Sequence, residues 1–407
     1  MSRPAPAIDP DRLLADLHTL RGFGTYKTGV HRPTYTQEDM EARRWLASRL
    51  REAGLEPAID GIGNVVGTGA GEGPRFLLGS HLETQLYAGW LDGALGVIYA
   101  LEVARSRAES GLAGVDVGAW ADEEGHYLNF GGSRSFIGDL GEAEIAAARN
   151  KVDGTPLPEA LTAAGLERRE RLLCPAGRYR GYLEAHIEQG DELQAKGLRL
   201  GIVTGIVGIW QYRIRFDGVQ NHAGTTRMAA RHDAGLALAR LVLAIDRRFR
   251  EVAGPRSVWT VGQIALEPGA PNIVPGAASM LFQFRDVDAE VLARLHATLA
   301  ELVAEADQGP CRAHLDLLEQ AAPQRMDPAF RAAFEQAAER HAPGCHQHMP
   351  SGAGHDAQIF ARVMPAGMLF VPSIGGISHH WAEDTAEDDI VLGARVFAAA
   401  VDSLLAA

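Results

Sequence analysis

The sequence predicts an α/β protein whose mixed, largely parallel sheet carries helices on both faces and is interrupted by a smaller α+β domain. Three observations support this fold class. At 407 residues the chain is long enough for about two domains. A strand, helix, strand succession early in the chain predicts parallel pairing through a crossover connection. From residue 207 onward, strict alternation of apolar and polar residues instead predicts half-buried strands.

The first part of the chain begins with an amphipathic helix over 38–52, which Gly54 can cap. The sequence then predicts a short buried strand over 75–81, a helix over 92–110 and a second strand over 115–124. Both strands run into polar residues at their carboxyl ends. Because ligands of open α/β sheets lie at those ends, we expect a functional site there.

The middle of the chain predicts a separate α+β insert. Residues 209–218 alternate as a half-buried strand does. The elements predicted after it are a helix over 228–249, strands over 257–266 and 278–286, a helix over 288–306 and a strand over 314–320. This order of strands and helices is ferredoxin-like. We therefore predict that 207–322 form the insert and that 1–206 and 323–407 form one domain.

Composition and charge indicate which binding partners and which cellular compartment to expect. The formal charge is −13, and no basic stripe is present, so a nucleic-acid partner is not expected. The N-terminus lacks the features of a secretory signal, and no apolar run approaches the length of about 18 residues that spans a bilayer. Cys174, Cys311 and Cys345 are widely spaced without a CxxC motif, which fits reduced thiols. We expect a soluble cytoplasmic protein with no membrane partner.

Several side chains at or near the ends of predicted elements are of the types that bind zinc-like cations, namely imidazole and carboxylate. They are His81, Asp92, Glu123, Glu124, His186 and His379. Taken singly, such a histidine is more often a hydrogen-bonded core or surface residue, and paired acids often begin a helix. Their combination, each in a glycine-flanked or strand-terminal setting, favours a metal centre.

Seven segments carry a resemblance to a known family. In chain order they are GSHLET…LDGALGV, ADEEG…GGSRSF, YLEAHIEQG, GVQNHAGTTRM, GAPNIVPG…FQFRD, SGAGHDA and FVPSIGGISHHWAED. With them the chain resembles the zinc-dependent amidohydrolases of the M20 peptidase-like superfamily. Within it, the similar branch contains N-carbamoyl-L-amino acid hydrolases, allantoate amidohydrolases and β-ureidopropionases. Ordered segments over nearly the whole chain are more specific than any single motif.

The resemblance implies a centre with two divalent metal ions, for which zinc is favoured and manganese or cobalt are alternatives. In such a centre Asp92 bridges the ions. His81 and His186 complete one site, and Glu124 and His379 complete the other. A shared carboxylate offsets the repulsion between two cations about 3.5–4 Å apart.

The resemblance also assigns catalytic and substrate-binding roles. Glu123 is implied to be the general base. His222, in the insert, is implied to reach the active site of a partner subunit and stabilise the oxyanion, which requires a homodimer. The residues implied to contact substrate are Gln189, Asn272, Arg285, Gly354 and His355. The alternatives are a capping role in a turn for His222, a surface salt bridge for Arg285, and a supporting role for the SGAGHDA turn.

The sequence departs from the family pattern at four places. Glu83 stands where the family usually has an aspartate, and we expect its carboxylate to hold the second ring nitrogen of His81. The loop after the acid pair is shorter than usual, and Arg227 stands at a usual proline. His380 and Trp381 replace an asparagine and a proline. Because all four border the expected site, the substrate can differ from the usual ones.

The sequence therefore predicts metal-dependent hydrolysis of a linear C–N amide bond, with an N-carbamoyl-L-amino acid as the favoured small-molecule substrate. Allantoate, another ureido acid or an N-acyl-L-amino acid are alternatives in the same class. A non-catalytic binding protein is disfavoured because the base and all the ligands are present. A cysteine or serine amidase is disfavoured because Cys174 has no histidine or carboxylate signature around it.

Overall fold

The structure is a computed structural model that describes residues 7–71, 73 and 75–407. The chain divides into two compact units. The first unit comprises Met1–Thr204 and Arg325–Ala407, and the second comprises Gly205–Gln324. The second unit therefore extends two residues beyond each end of the range 207–322 assigned to the insert.

The secondary structure of the described residues is as follows. The helices are α1 (Pro10–Arg21), α2 (Gln37–Glu52), α3 (Ala94–Glu109), α4 (Gly131–Phe136), α5 (Glu142–Ala147), α6 (Leu157–Ala163), α7 (Glu192–Lys196), α8 (Ala234–Val252), α9 (Ala289–Asp307), α10 (Pro328–His341), α11 (Asp356–Phe360) and α12 (Glu387–Ala406). The strands are β1 (Thr25–Tyr26), β2 (Gly29–Val30), β3 (Glu56–Ile59), β4 (Val65–Thr68), β5 (Arg75–His81), β6 (Val115–Trp120), β7 (Tyr179–Ile187), β8 (Leu200–Ile206), β9 (Gly208–Asp217), β10 (Asn221–His222), β11 (Val258–Glu267), β12 (Ile273–Val274), β13 (Ala277–Asp286), β14 (Arg312–Ala321), β15 (Gln324–Arg325), β16 (His346–Ser351) and β17 (Ala366–Val371). Over these residues, every helix falls short of the length and apolar character that crossing a bilayer requires.

The larger sheet is mixed. Within the described residues its strand order is β15, β8, β17, β7, β5, β6, β4, β3, with β16 beside β8. The four adjacent strands β17, β7, β5 and β6 pair in parallel. Beyond them, β8 pairs antiparallel with β17, β4 with β6, and β3 with β4. The expectation of a largely parallel sheet is thus wrong outside the centre, since strands joined by a short turn, as β3 and β4 are, must run antiparallel.

The central strands are covered on both faces. All seven residues of β5 and all six of β6 are buried, although successive side chains point to opposite faces of a sheet. Helix α3 is also buried along most of its length and packs against β5, β6 and β7. Burial on both faces explains why these strands read as continuous apolar runs.

The end of strand β6 and the start of helix α8 differ from the positions that the sequence predicts. Strand β6 ends at Trp120, because Asp122 adopts a left-handed backbone with φ of 59° that cannot continue a strand. Helix α8 begins at Ala234 rather than near 228, because the Asp233 carboxylate caps it by accepting the Leu236 N–H at 3.0 Å. An aspartate therefore sets each of these two boundaries, Asp122 for β6 and Asp233 for α8.

The second unit contains a four-stranded antiparallel sheet in the order β11, β13, β9, β14, and α8 and α9 pack on it. Along β9, Tyr212, Ile214 and Phe216 are buried, whereas Arg213 and Arg215 are exposed. The core of this unit lies between the buried face of the sheet and the two helices. The alternation read from the sequence is the physical basis of this packing.

Candidate metal centre

Side chains from adjacent parallel strands converge at one edge of the larger sheet. His81 is the last residue of β5, and His186 is the last but one of β7. Glu123 and Glu124 follow β6, and His379 lies in the loop after β17. Because these strands run parallel, their carboxyl ends lie at the same edge, where the site was expected.

Asp92, just before α3, lies between two groups of ligand-type atoms. Its Oδ1 is 3.1 Å from Nε2 of His186 and 3.6 Å from Nε2 of His81. Its Oδ2 is 3.4 Å from Nε2 of His379, which in turn is 3.6 Å from Oε2 of Glu124. In each group the ligand atoms lie within 4.8 Å of one another. The groups therefore share one carboxylate, and each of its oxygens faces a different group.

The donor sets fit divalent cations. One group offers two imidazoles and a carboxylate, and the other offers one imidazole and two carboxylates. His81, Asp92 and His186 are each 1% exposed, so water cannot solvate the charge of this carboxylate. Buried charges in proteins are paired or coordinate metals. The structure thus contains candidate ligands for two cations that share Asp92.

The hydrogen bonds of the two buried histidines leave the correct nitrogen for a metal. Nδ1 of His81 lies 3.1 Å from the main-chain carbonyl of Glu83, and Nδ1 of His186 lies 2.9 Å from that of Ile187. A carbonyl only accepts, so each Nδ1 carries a proton, and each Nε2, which lies near Asp92, is the nitrogen that could bind a metal once it is unprotonated. Gly93 leaves room for this arrangement, since an added Cβ would lie 2.4 Å from the His81 ring.

Glu83 differs from its predicted role. It contacts His81 through its main-chain carbonyl, whereas its carboxylate accepts from the Arg43 Nη2 at 2.7 Å and from the Glu123 N–H at 2.6 Å. The prediction that this carboxylate holds His81 is therefore wrong. The physical reason is that a buried guanidinium is a charged donor, which binds a carboxylate more strongly than a neutral imidazole N–H does.

Glu123 lies beside the first group without belonging to either group of the described residues. Its Oε2 is 3.7 Å from Nε2 of His81, and its side chain is 9% exposed. Burial raises the pKa of this carboxyl well above its usual range, and the charges of Glu124 and Asp92 add to the effect while His81 opposes it. A carboxylate with a raised pKa accepts a proton readily, which suits a general base.

The comparisons with known proteins agree with this geometry. A family model described as peptidase family M20/M25/M40 matches residues 83–403. The chain belongs to this family. The resemblance noted in the sequence is thereby confirmed. M20 enzymes use divalent metals, and the two groups around Asp92 are this chain's candidate ligands for them.

Relatives of this M20 chain cover nearly its whole length. The N-carbamoyl-L-amino acid amidohydrolase of Geobacillus stearothermophilus is 35% identical over 409 residues, which cover 96% of this chain and 97% of the relative. The allantoate amidohydrolase of Escherichia coli (strain K12) is 33% identical, covering 93% and 94%. A solved structure of an amidase of the hydantoinase/carbamoylase family from Burkholderia phymatum is 47% identical, with a TM-score of 0.90 and 99% of each chain covered.

Gln85 and Glu383, which the sequence did not indicate, contact candidate ligands of this site. Gln85 donates its main-chain N–H to Glu124 Oε1 at 3.1 Å and its amide to Oε2 at 2.9 Å. The buried Glu383 accepts from the Asp92 N–H at 3.1 Å and from the Ser378 hydroxyl at 2.9 Å. Glu383 lies in a segment already matched to the family, FVPSIGGISHHWAED, and Gln85 directly follows another, GSHLET, but a polar residue in a loop carries no sign of what it contacts.

Arg43 was also missed, although the sequence contains a signal for it. In α2 it lies three residues after Met40 and three before Leu46, so it shares the buried face of that helix. A charged residue on the apolar face of a helix is unusual and indicates a buried partner. Here the partners are the carboxylates of Asp39 and Glu83.

Gln189, which was predicted to bind substrate, lies against the candidate metal ligands. Its amide Nε2 donates to Asp92 Oδ2 at 3.0 Å and is 3.5 Å from Nε2 of His379. Its main-chain N–H donates to the Ser373 hydroxyl at 3.1 Å, which holds a left-handed backbone with φ of 59°. The structure therefore brings Gln189 to the second ligand group.

His355 and Gly354 lie behind the first ligand group. The His355 ring packs edge-on against the His186 ring with centroids 4.5 Å apart, and its Nε2 is 2.8 Å from the Ser351 hydroxyl. Burial lowers the pKa of His355 well below its usual range, so this ring is neutral. A Cβ at Gly354 would lie 2.7 Å from the tip of the Phe130 ring, so a larger residue there would displace that ring.

Two predicted residues meet in the second unit. His222 lies on β10, which pairs with β12, and the following Ala223 N–H donates to the Asn272 carbonyl at 3.0 Å. Nδ1 of the exposed His222 accepts the N–H groups of Gly224 at 3.1 Å and Thr225 at 3.2 Å. In the neutral imidazole the proton is therefore on Nε2, which is exposed as a donor.

Arg285 lies on β13 of the second unit, on the opposite face from the buried Phe282 and Phe284, as its alternation predicts. Its Nη2 donates to the Gln283 amide oxygen at 3.3 Å. Burial lowers the pKa of this guanidinium, and Glu319 opposes the shift. Arg285 is thus partly shielded from water, which strengthens any carboxylate contact it makes.

Metal binding is expected to strengthen with pH and to release a proton from His379. A hydrogen bond with Asp92 raises the pKa of His379 to about 9 against the opposing effect of burial. Below that pH the imidazole holds a proton on the atom that must bind the cation, so the cation has to displace it. Zinc titration calorimetry in buffers of different ionisation enthalpy measures the release. A His379→Gln control should release less, and equal release from both proteins would contradict the assignment.

Proposed function

We propose that this M20 protein hydrolyses the linear C–N bond of an N-carbamoyl-L-amino acid, giving the L-amino acid, carbon dioxide and ammonia. The observation that carries the proposal is Asp92 shared between two ligand groups, with the separate carboxylate of Glu123 beside them. Full-length relatives that carry carbamoyl and allantoate hydrolase names support the ureido class of substrate. Allantoate or another ureido acid, and an N-acyl-L-amino acid, are alternative substrates for the same site.

We propose that two divalent ions, with zinc favoured over manganese or cobalt, bind at this centre. His81 and His186 would hold one ion, Glu124 and His379 the other, and Asp92 both. When bound, the ions polarise the substrate carbonyl and acidify a water molecule. The Nδ1–H bonds of His81 and His186 to main-chain carbonyls keep both rings oriented for this role.

Glu123 moves the proton in the proposed reaction. Its carboxylate takes a proton from the attacking water and returns it to the leaving nitrogen. Burial raises the pKa of this carboxyl, which favours the protonated form that lies between these two steps. Gln189, whose amide already contacts Asp92, supplies a polar contact to substrate at the same place.

The second unit supplies the remaining substrate contacts in the proposal. The Nε2 donor of His222 stabilises the oxyanion in the active site of a partner subunit, so the active enzyme is a homodimer. Asn272, which adjoins His222, binds the ureido or amide group. Arg285 presents a planar pair of donors to the substrate carboxylate.

Arg285→Lys is expected to raise the KM for a carboxylate substrate by about tenfold, because a lysine ammonium cannot form the two parallel bonds of a guanidinium. Steady-state kinetics on an N-carbamoyl amino acid measures the effect. The matched control is Arg250→Lys, an exposed arginine on α8 paired with Asp246, which should leave KM unchanged. An unaltered KM in Arg285→Lys would show that no carboxylate docks there.

A substrate panel tests the function directly. The purified protein is stripped with a chelator, reconstituted with zinc, manganese or cobalt, and assayed on N-carbamoyl, N-formyl and N-acyl amino acids and allantoate. We expect turnover of N-carbamoyl-L-amino acids that the chelator abolishes and metal restores. Turnover of N-acyl substrates alone would select that alternative, and chelator-resistant turnover would favour a nucleophilic amidase. No turnover of any substrate would favour a binding protein.

We also place this chemistry in the cytoplasm. Cys174, Cys311 and Cys345 are all free thiols. Dispersed free thiols fit a reducing compartment better than an oxidising one.

A further inference from the structure

A fully buried chain of charges lies next to Glu123. Asp39, Arg43 and Glu83 are each 0% exposed. Arg43 donates Nε to Asp39 at 3.0 Å, Nη2 to Glu83 Oε2 at 2.7 Å and Nη1 to the Gly63 carbonyl at 2.9 Å. The guanidinium is therefore held on three sides, and it holds the Glu83 carboxylate in turn.

Glu83 contacts both the proposed base, Glu123, and the proposed metal ligand His81, through different groups. Its Oε1 accepts the main-chain N–H of Glu123 at 2.6 Å, and its main-chain carbonyl accepts from Nδ1 of His81. The carboxylate and the carbonyl thus carry separable tasks. Removing the carboxylate affects the base, whereas the contact with the metal ligand is retained.

The main chain on either side of Glu123 is held by other groups. The Asp122 carbonyl accepts the Gly131 N–H at 3.2 Å, and the Glu124 carbonyl accepts from the Gln85 amide at 3.0 Å. The N–H of Glu123 itself bonds to Glu83.

Glu123 follows the end of β6, in a bend where no helix or strand hydrogen bonds form. The preceding Asp122 has a φ of 59°, a strained region for a residue with a side chain. The Asp122 carboxylate supports the downstream side of the bend by accepting the Leu128 N–H at 2.6 Å. On the upstream side, the bond to Glu83 fixes the Glu123 N–H.

We propose that Arg43 and Glu83 are positioning residues that hold the carboxylate of Glu123 in register with His81. The inference rests on the proposed function, in which Glu123 is the base. Small displacements of a catalytic group reduce turnover strongly, and residues that orient such groups matter accordingly. The same arrangement accounts for glutamate at position 83. An aspartate is shorter by about 1.5 Å and cannot keep both short bonds of this carboxylate.

The rival explanation is that the buried chain only stabilises the fold. Arg105 and Asp16 provide a matched comparison, since their ion pair is also buried but joins α3 to α1. Loss of either arginine leaves a buried carboxylate without its main charged partner. A purely structural role predicts the same consequence for Arg43→Met as for Arg105→Met, namely a lower Tm with unchanged turnover per folded, metal-loaded site.

The test compares kcat per metal-loaded site, with metal content measured by mass spectrometry. We expect Arg43→Met to lower kcat by about 10- to 100-fold with KM within about threefold, as for other residues that orient a catalytic group. Arg43→Lys keeps the positive charge but not the planar set of guanidinium donors, so it should lower kcat by less than Arg43→Met does. Arg105→Met should have a lower Tm but a kcat within about twofold of the unaltered protein, the size of effect expected away from the candidate metal centre.

A double-mutant cycle tests whether the two residues act together. Glu83→Asp should lower kcat as Arg43→Met does, and the double variant should be no worse than the poorer single one. Additive losses would overturn the proposal, as would equal kcat per loaded site in Arg43→Met and Arg105→Met. If Arg43→Met does not fold, Arg43→Lys and Glu83→Asp decide the question by the same criteria.

Two readouts do not depend on turnover. Glu83→Gln should retain zinc affinity within about threefold, because His81 is held by the carbonyl rather than the carboxylate. Crystal structures of the Arg43 and Glu83 variants should show Glu123 displaced from His81, and an unmoved Glu123 would overturn the inference. If the unaltered protein hydrolyses no substrate, the proposed function fails, while these structures still decide the positioning role.

Discussion

Asp92→Asn is expected to remove metal from both ligand groups and to abolish hydrolysis. In the structure Oδ1 faces His81 and His186, and Oδ2 faces His379. Two cations about 3.5–4 Å apart repel each other strongly, and a shared negative carboxylate offsets that repulsion. A neutral amide does not, and its NH2 group is a donor where a metal requires an acceptor. Metal content after reconstitution, measured by mass spectrometry alongside turnover, tests this result.

Variants of residues that belong to only one of the two ligand groups test whether Asp92 is shared between them. His186→Ala should remove metal from the first group alone, and Glu124→Gln from the second alone. Both variants should then keep about half the metal of the unaltered protein, since each leaves one group intact. If Asp92→Asn also kept half, the two groups would not share this carboxylate as the geometry indicates.

Glu123→Gln is expected to lower kcat by about 10²- to 10⁴-fold, the usual contribution of a positioned general base. Glutamine has the same shape but cannot take the proton from water. Metal content should be unchanged, because Glu123 belongs to neither ligand group of the described residues. The main-chain bond from Glu123 to Glu83 should also persist, since it does not involve the side chain that is replaced. Steady-state kinetics on reconstituted protein gives the loss.

Glu124→Gln is the matched control for this variant, because it alters the adjacent residue by the same change. It should lose metal together with activity, as a ligand of the second group. If Glu123→Gln lowered kcat by less than about tenfold, the loss would be too small for a general base and would contradict that role. Loss of metal in Glu123→Gln would instead indicate that Glu123 is a ligand.

The position of the site could be predicted from the sequence because it follows from local patterns. The apolar run of β5 ends at His81, and the strand, helix, strand succession makes β5 and β6 parallel. Parallel strands bring their carboxyl ends together whatever the details of packing. The ligand types at those ends, with the family resemblance, are therefore sufficient to predict His81, Asp92 and Glu124 as ligands from the sequence alone.

The contacts made by Glu83 could not be predicted in the same way. Its spacing from His81 indicated a supporting role, but the carboxylate bonds to Arg43, which is 40 residues away in sequence. A flexible carboxylate side chain can bond to any donor that the fold brings near it, and its bond to a charged donor is stronger. The antiparallel margins of the larger sheet escaped prediction for a similar reason, since strands such as β8 and β17 pair across long stretches of chain.

By itself, the sequence determined which side chains are available for metal and proton chemistry and at which strand ends they stand, because periodicity and strand order are properties of neighbouring residues. Only the tertiary structure decided that Asp92 faces one ligand group with each oxygen, and that Arg43 and Glu83 support the main chain of Glu123. Those contacts require distances between distant segments that are held to within a few tenths of an ångström. Such distances are set by how the whole core packs, and packing is a property of the folded chain.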